Sequence, residues 1–304
     1  MSRNFISYSL FEPKKLYKHR TYDADKEKLE RYWYNLPAVA LINSVLYPEY
    51  EMRLSVCPET LKNPLFDFYI KLSNSSDKYS YRVVEENYTA HEPALWRMSL
   101  LWNQQSHIVL SRDIDSVPNI HEYQSTKVFE QSNYAVHTIR SHPHHYNYPC
   151  RMLIGLSGFK PAMIPSSILT SSFEEFKTKH SPSPELLNDP TVKWNSDQLT
   201  VINAFTNDEF FTSQRFLDTR IDNQKHYPDF YCNSIGPKDL SNIKMTKQQR
   251  SIFSLVNKTG VTQWAGQPCD CRGSFLKRLT EIIPNPTVSE ILEGNSNLKE
   301  FYLK

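Results

Sequence analysis

Ile108-Val109-Leu110-Ser111-Arg112-Asp113-Ile114-Asp115-Ser116 is the stretch on which the reading of the fold turns. It begins as an apolar run and ends in two carboxylates with one residue between them. In an extended chain alternate side chains share a face, so Asp113 and Asp115 are expected to point the same way just past a buried strand. Two carboxylates at a strand's C-terminal end suit a hard divalent cation that takes its other ligands from phosphate and water. In open α/β sheets that edge is where ligands bind. An isolated Asp-x-Asp is usually a solvated turn, so the flanking sequence has to decide.

Outward from this stretch, strand-like and helix-like patterns alternate. The spacing predicts strands over residues 4–10, 51–56, 64–72, 79–84, 107–111 and 134–139. It predicts a polar helix over 25–34 and a more apolar one over 37–47. In the second, Val39, Leu41, Ile42, Val45 and Leu46 mark a core face. Pro93 opens a further helix through Leu101, since proline favours the first helical turn. Helices are also expected over 121–132, 197–207 and 246–256. This alternation argues for an α/β fold with a mostly parallel, helix-covered sheet. Residues 1–235 are expected to form the main domain and residues 236–304 a helical or irregular C-terminal appendage packed on it.

Composition narrows the function. A chain of 304 residues can bury a sizeable core, and a net charge of +2 gives no footprint of nonspecific nucleic-acid binding. With seven glycines, no GxGxxG and no Walker pattern, a dinucleotide oxidoreductase or P-loop kinase is disfavoured. No apolar run approaches the roughly 18 residues of a membrane helix. Met1 to Ile6 lead into a strand pattern without a secretory hydrophobic region. Five scattered cysteines fit reduced thiols better than a disulfide framework. A cytoplasmic location, in the cell or in a virus-infected host, is therefore expected.

The motifs resemble, in order over residues 4–270, a family of predicted metal-dependent glycosyltransferases of the A-type fold found in bacteria and large DNA viruses. The resemblance rests on Leu95-Trp96-Arg97, Arg112-Asp113-Ile114-Asp115-Ser116, Ile139-Arg140-Ser141-His142-Pro143-His144-His145 and Gly155-Leu156-Ser157-Gly158. It continues through Asp197-Gln198, His226 to Asp229, and Trp264-Ala265-Gly266-Gln267. Ser141 stands where that pattern has Asp, and Tyr227-Pro228 separates His226 from Asp229.

The resemblance implies an A-type glycosyltransferase using Mn2+ or Mg2+ to move a sugar from a nucleotide sugar, with a UDP-sugar expected, to a glycan or other hydroxyl acceptor. A divalent metal held by carboxylates would stabilise the leaving diphosphate as a Lewis acid, without proton transfer. Asp113 is then expected at the nucleotide ribose or the metal, and Asp115 at the metal, with His226 or Asp229 adding a later ligand. Arg97, Arg112, Arg140 and His142 are expected at the donor, with a bracing ion pair as the alternative for Arg97 and Arg112. Gly155 and Gly158 either admit the sugar close to the backbone or make a tight turn. Asp197 and Gln198 are expected at the reaction centre or, for Asp197, as a helix cap. The rival classes are a noncatalytic nucleotide-sugar or glycan binder on the same scaffold and a metal-dependent phosphoryl-transfer enzyme.

Overall fold

The computed structural model describes residues 2–12, 30, 32–85, 92–140, 152–188, 196–205, 216–220, 234–235, 240–262 and 265–304. Among the described residues eight strands form one sheet: β1 (Arg3–Leu10), β2 (Tyr50–Val56), β3 (Tyr79–Val83), β4 (Ser106–Arg112), β5 (Val136–Arg140), β6 (Leu156–Phe159), β7 (Phe216–Arg220) and β8 (Ser234–Ile235). Their order is β3-β2-β1-β4-β6-β5-β7-β8. Every pairing is parallel except the two made by β6, which runs antiparallel between β4 and β5. The fold is thus α/β, with a mostly parallel, Rossmann-like sheet.

Period-two alternation sends neighbouring residues of each strand into different cores. Ile6, Tyr8 and Leu10 of β1, Met52 and Leu54 of β2, and Ile108 and Leu110 of β4 face one core. That core is covered by α1 (Leu36–Leu46), α2 (Asp67–Ser75) and α3 (Ile120–Gln131). Phe5 and Val109 face the other. The second core is covered by a 3-10 segment (Glu92–Trp102), α4 (Ser166–Leu169), α5 (Phe173–His180) and α6 (Ser196–Phe205). Burial on both faces explains why the strands read as nearly continuous apolar runs.

The chain winds from β1 outward to β3, then returns to β1's other flank as β4. Strand order therefore reverses between β1 and β4. The crevice at the C-terminal ends of these two strands is the topological switch point, where open α/β sheets bind ligands. Asp113 follows β4 directly at this edge.

Two expectations are corrected. Residues 64–72 were expected to be extended, but Pro64–Phe66 is a 3-10 turn and Asp67–Ser75 is helical. Phe68, Tyr69 and Leu72 fall at helical spacing and are all buried. Their apolar character suits either period over so short a run. The segment opened by Pro93 is a 3-10 stretch rather than an α-helix. It lies across β1, where the Arg97 backbone N–H donates to Ser9 Oγ (3.1 Å) and Ser9 Oγ donates to the Ala94 carbonyl (3.4 Å). Of the polar helix expected at 25–34, most lies outside the described residues.

The C-terminal helices α7 (Lys247–Thr259), α8 (Ser274–Ile282), α9 (Pro286–Glu293) and α10 (Ser296–Leu303) share the first core. Ile252, Val256, Leu276, Leu279, Val288, Leu298 and Tyr302 are buried in the same cluster as Ile6 and Leu41. Thr246 and Gln249 form a reciprocal capping box at the start of α7, and left-handed Gly260 ends it. Among the described residues no helix is long and apolar enough to cross a membrane.

A shared core means shared cooperativity. Leu279→Ala in α8 is expected to cost about 2–5 kcal/mol and to shift one unfolding transition, followed by both tryptophan fluorescence and far-UV circular dichroism in urea. A separate early transition for the C-terminal helices would contradict the shared core.

Candidate functional site

Strand β4 ends at Arg112, and Ile114 and Asp115 form a turn. Ser116 Oγ donates back to the Asp113 carbonyl (3.2 Å) and fixes that turn. Turn geometry, rather than the expected alternation along a strand, thus sets Asp113 and Asp115. Their environments differ: the Asp113 side chain is 41% exposed, while Asp115 is buried.

Arg97 organises the site. From the 3-10 segment its guanidinium reaches the sheet edge, where Nη1 pairs with Asp113 Oδ1 and donates to the Arg112 carbonyl (3.2 Å). Nη2 pairs with Asp197 Oδ2 at 3.1 Å. Burial disfavours the Arg97 charge, but Asp113 and Asp197, with Asp115 also contributing, outweigh that and hold its pKa above the ordinary value. Burial raises the pKa of Asp197, and Asp113 adds to the rise. Arg97 and the Gln198 backbone N–H oppose them, leaving Asp197 above the ordinary aspartate range. Three carboxylates against Arg97 and the Arg140 that ends β5 leave one formal negative charge at this edge.

Asp197 and Gln198 open α6 and divide their work. Asp197 meets Arg97, while Gln198 Oε1 accepts from the Ile154 backbone N–H (2.9 Å) and so holds the approach to β6. Gly155 follows directly, and a Cβ built on it would overlap the Asp113 carboxylate. The bare glycine is therefore what lets β6 enter beside Asp113. Among the described residues, Arg97 Nε and Gln198 Nε2 are buried donors with no acceptor. Orphaned buried donors are uncommon and costly, so two of them beside these carboxylates mark a place for ligand oxygens.

Other expected site residues sit differently. Arg112 turns away from the edge into a buried pair with Glu122 of α3 (Nε to Oε1, 2.5 Å). Its Nη1 donates to the Ser111 and Ser157 carbonyls (2.8 and 2.7 Å) and Nη2 to Thr126 Oγ1 (3.2 Å). Of its two expected readings, the bracing ion pair is the one seen, because four of its five N–H groups are taken within the protein. Arg140 ends β5 at the same edge and is fully buried. Gly158 lies inside β6, where a Cβ would come within 2.8 Å of the Phe129 ring; its bareness serves the packing of α3 against the sheet. His142, His226 and Asp229 lie outside the described residues.

Sequence reasoning missed the strap that crosses this edge. Ala265 packs with Ile139 and Leu156, and left-handed Gly266 lies against Leu156. The Cys269 backbone N–H then donates to the Asp115 carbonyl (2.9 Å). Fully buried Asn35 clamps the strap from below: Nδ2 donates to the Cys269 carbonyl (3.1 Å), and Oδ1 accepts from the Cys271 N–H (3.0 Å). The aromatic-x-Gly motif beginning at Trp264 was the one signal in the sequence that pointed here.

Among the described residues no group of three His, Cys, Asp or Glu side chains forms a metal cage. A Mg2+-type ion needs only one or two carboxylates when substrate phosphates and water complete its shell. Asp113, Asp115 and the local excess of negative charge meet that lesser requirement. Compared with models of known protein families and with curated protein sequences, the chain matches none.

Glu122→Ala would leave the Arg112 charge buried and unpaired, with an expected cost of about 3–5 kcal/mol in urea unfolding. A double replacement, Arg112→Met with Glu122→Leu, is expected to recover most of that loss. Equal losses in the single and double variants would show that packing, and not charge pairing, is what Glu122 contributes.

Proposed function

We propose that the chain is a divalent-metal-dependent glycosyltransferase of the A-type fold, transferring a sugar from a nucleotide sugar, a UDP-sugar, to a glycan or other hydroxyl acceptor. The observation that carries this reading is the joining of Asp113, Asp115 and Asp197 around Arg97 at the switch-point edge of the sheet. The resemblance in motif order supports the same assignment.

In this reading Asp115, with Asp113, holds Mn2+ or Mg2+. When bound, the ion supplies Lewis-acid stabilisation of the leaving diphosphate. Arg97 holds the Asp113 and Asp197 carboxylates in place while its own charge is neutralised by them. Its free Nε, together with Gln198 Nε2, supplies donors to hydroxyl oxygens of the donor sugar. Asp197 faces the reaction centre as a carboxylate, either stabilising positive charge on the transferred sugar or accepting the acceptor hydroxyl's proton. Arg112 has no substrate role here; it holds the end of β4 against α3.

UDP is expected to bind more tightly with Mn2+ than with chelator in calorimetry, and Asp115→Ala should abolish the difference. Unchanged UDP affinity after chelation would overturn the metal-bridging role.

Asp197→Asn keeps shape and removes charge, so turnover is expected to fall at least tenfold, about 1.4 kcal/mol in barrier. The raised pKa of Asp197 sets the sign of the pH dependence: the carboxylate is lost on acidification at a pH above its ordinary 3.8. The acid limb of kcat/KM should therefore lie above that value in the wild type and be absent in Asp197→Asn. A variant with wild-type turnover would reduce Asp197 to a partner of Arg97.

A further inference from the structure

Cys269 and Cys271 are separated by one residue, and their sulfurs lie 3.6 Å apart. Asn35 holds both residues at once, through the Cys269 carbonyl and the Cys271 N–H, and also donates to Cys269 Sγ (3.4 Å). Cys271 is buried, while Cys269 is partly exposed. Cys269 also touches the candidate metal turn, its N–H bonded to the Asp115 carbonyl at 2.9 Å and its sulfur 3.6 Å from the same oxygen. Two thiols are thus preorganised in contact, and one of them is part of the clamp on Asp115.

We propose that Cys269 and Cys271 form a reversible dithiol–disulfide site, operated by exchange with a low-molecular-weight disulfide such as glutathione disulfide, and that closing it loosens the Asp113–Ser116 turn. The partly exposed Cys269 thiolate attacks one sulfur of glutathione disulfide, whose S–S electron pair leaves on the first glutathione. Burial keeps Cys271 a thiol, and its sulfur then attacks Cys269 Sγ, giving up its proton as the second glutathione is expelled. The protein pair loses two electrons and two protons, and both appear on two molecules of glutathione thiol.

Closing the bond draws the sulfurs from 3.6 Å to about 2.05 Å. Closing the bond also removes the Cys269 S–H, so its donation to the Asp115 carbonyl is lost. A ring closed across a single residue is strained and so easily reduced, as labile regulatory disulfides are. The bond itself goes beyond the glycosyltransferase reading, whereas any effect on UDP binding rests on that reading.

The full chain would be incubated with glutathione disulfide or with dithiothreitol, then alkylated and digested with trypsin. Both cysteines fall in the peptide Thr259–Arg272. Oxidation should remove two hydrogens from it and block both alkylations, whereas Cys271→Ser should form no bond within the peptide and stop at the Cys269–glutathione mixed disulfide. Two alkylated cysteines after oxidation would overturn the disulfide. Hydrogen exchange on the same samples reads the coupling, since the Cys269 amide is the donor to Asp115. Its exchange should accelerate on the order of tenfold when the bond closes, as local opening of this contact requires. A closed disulfide with unchanged exchange would overturn the coupling. UDP affinity with Mn2+ should fall in the oxidised protein and return with dithiothreitol. Reduced protein that fails to bind UDP would count against the glycosyltransferase reading alone, because the mass and exchange results decide the switch without it.

Discussion

A guanidinium out of reach of water fixes the geometry of this site. Arg97 is 5% exposed at its side chain, and an isolated buried charge would cost several kcal/mol. It is tolerable because Asp113 and Asp197 meet it from opposite sides, one from the end of β4 and the other from the start of α6. The arginine in turn cannot drift, since its backbone is tied to Ser9 of β1 and its Nη1 to the Arg112 carbonyl. Three elements far apart in sequence are thereby held in one register, and the carboxylates inherit the rigidity of the sheet.

The two cores explain why this edge is well defined. One face of the sheet is closed by the 3-10 segment and α4 to α6, which deliver Arg97 and Asp197. The other is closed by α1 to α3 together with the C-terminal helices, which deliver the strap over Asp115. Arg112 links the layers: its backbone carbonyl accepts from Arg97, while its side chain enters the opposite core to meet Glu122. The candidate metal turn thus lies where both layers end.

Much of this was legible in the sequence, and the parts that were not share a cause. Strands β1, β2 and β4, helix α1 and the position of Asp113 at a strand end were all readable, because burial imposes local periodicity on them. The Asp197-Gln198 pair was also found, through motif order and its place at a helix start. Local pattern failed at 64–72, where a short apolar run fits helix and strand alike. It failed again at β6, where Gly155 just before the strand and Gly158 within it resemble a loop until Asp113 and Phe129 are seen against them. The choice between donor contact and bracing at Arg112 needed Glu122, ten residues away but on another layer. Asn35 and Cys269 carry no sequence signal of their partnership, which spans 234 residues.

That long-range clamp has a consequence for how the molecule comes into being. The carbonyl of Asp115 receives its partner from Cys269, and the strap is seated by Asn35 and by a bond from the Gly273 N–H to the Tyr302 carbonyl. During synthesis the sheet and the Arg97 cluster are complete as sequence well before residues 269–302 leave the ribosome. Contacts of such large sequence separation form late, because chain closure must precede any gain from them. The nascent protein therefore passes through an interval with its carboxylates assembled but the turn that carries Asp115 unclamped. Residues 269–302 therefore act late: the strands and the Arg97 cluster precede them in the chain, and the Asp115 carbonyl gains its clamp only once they are in place.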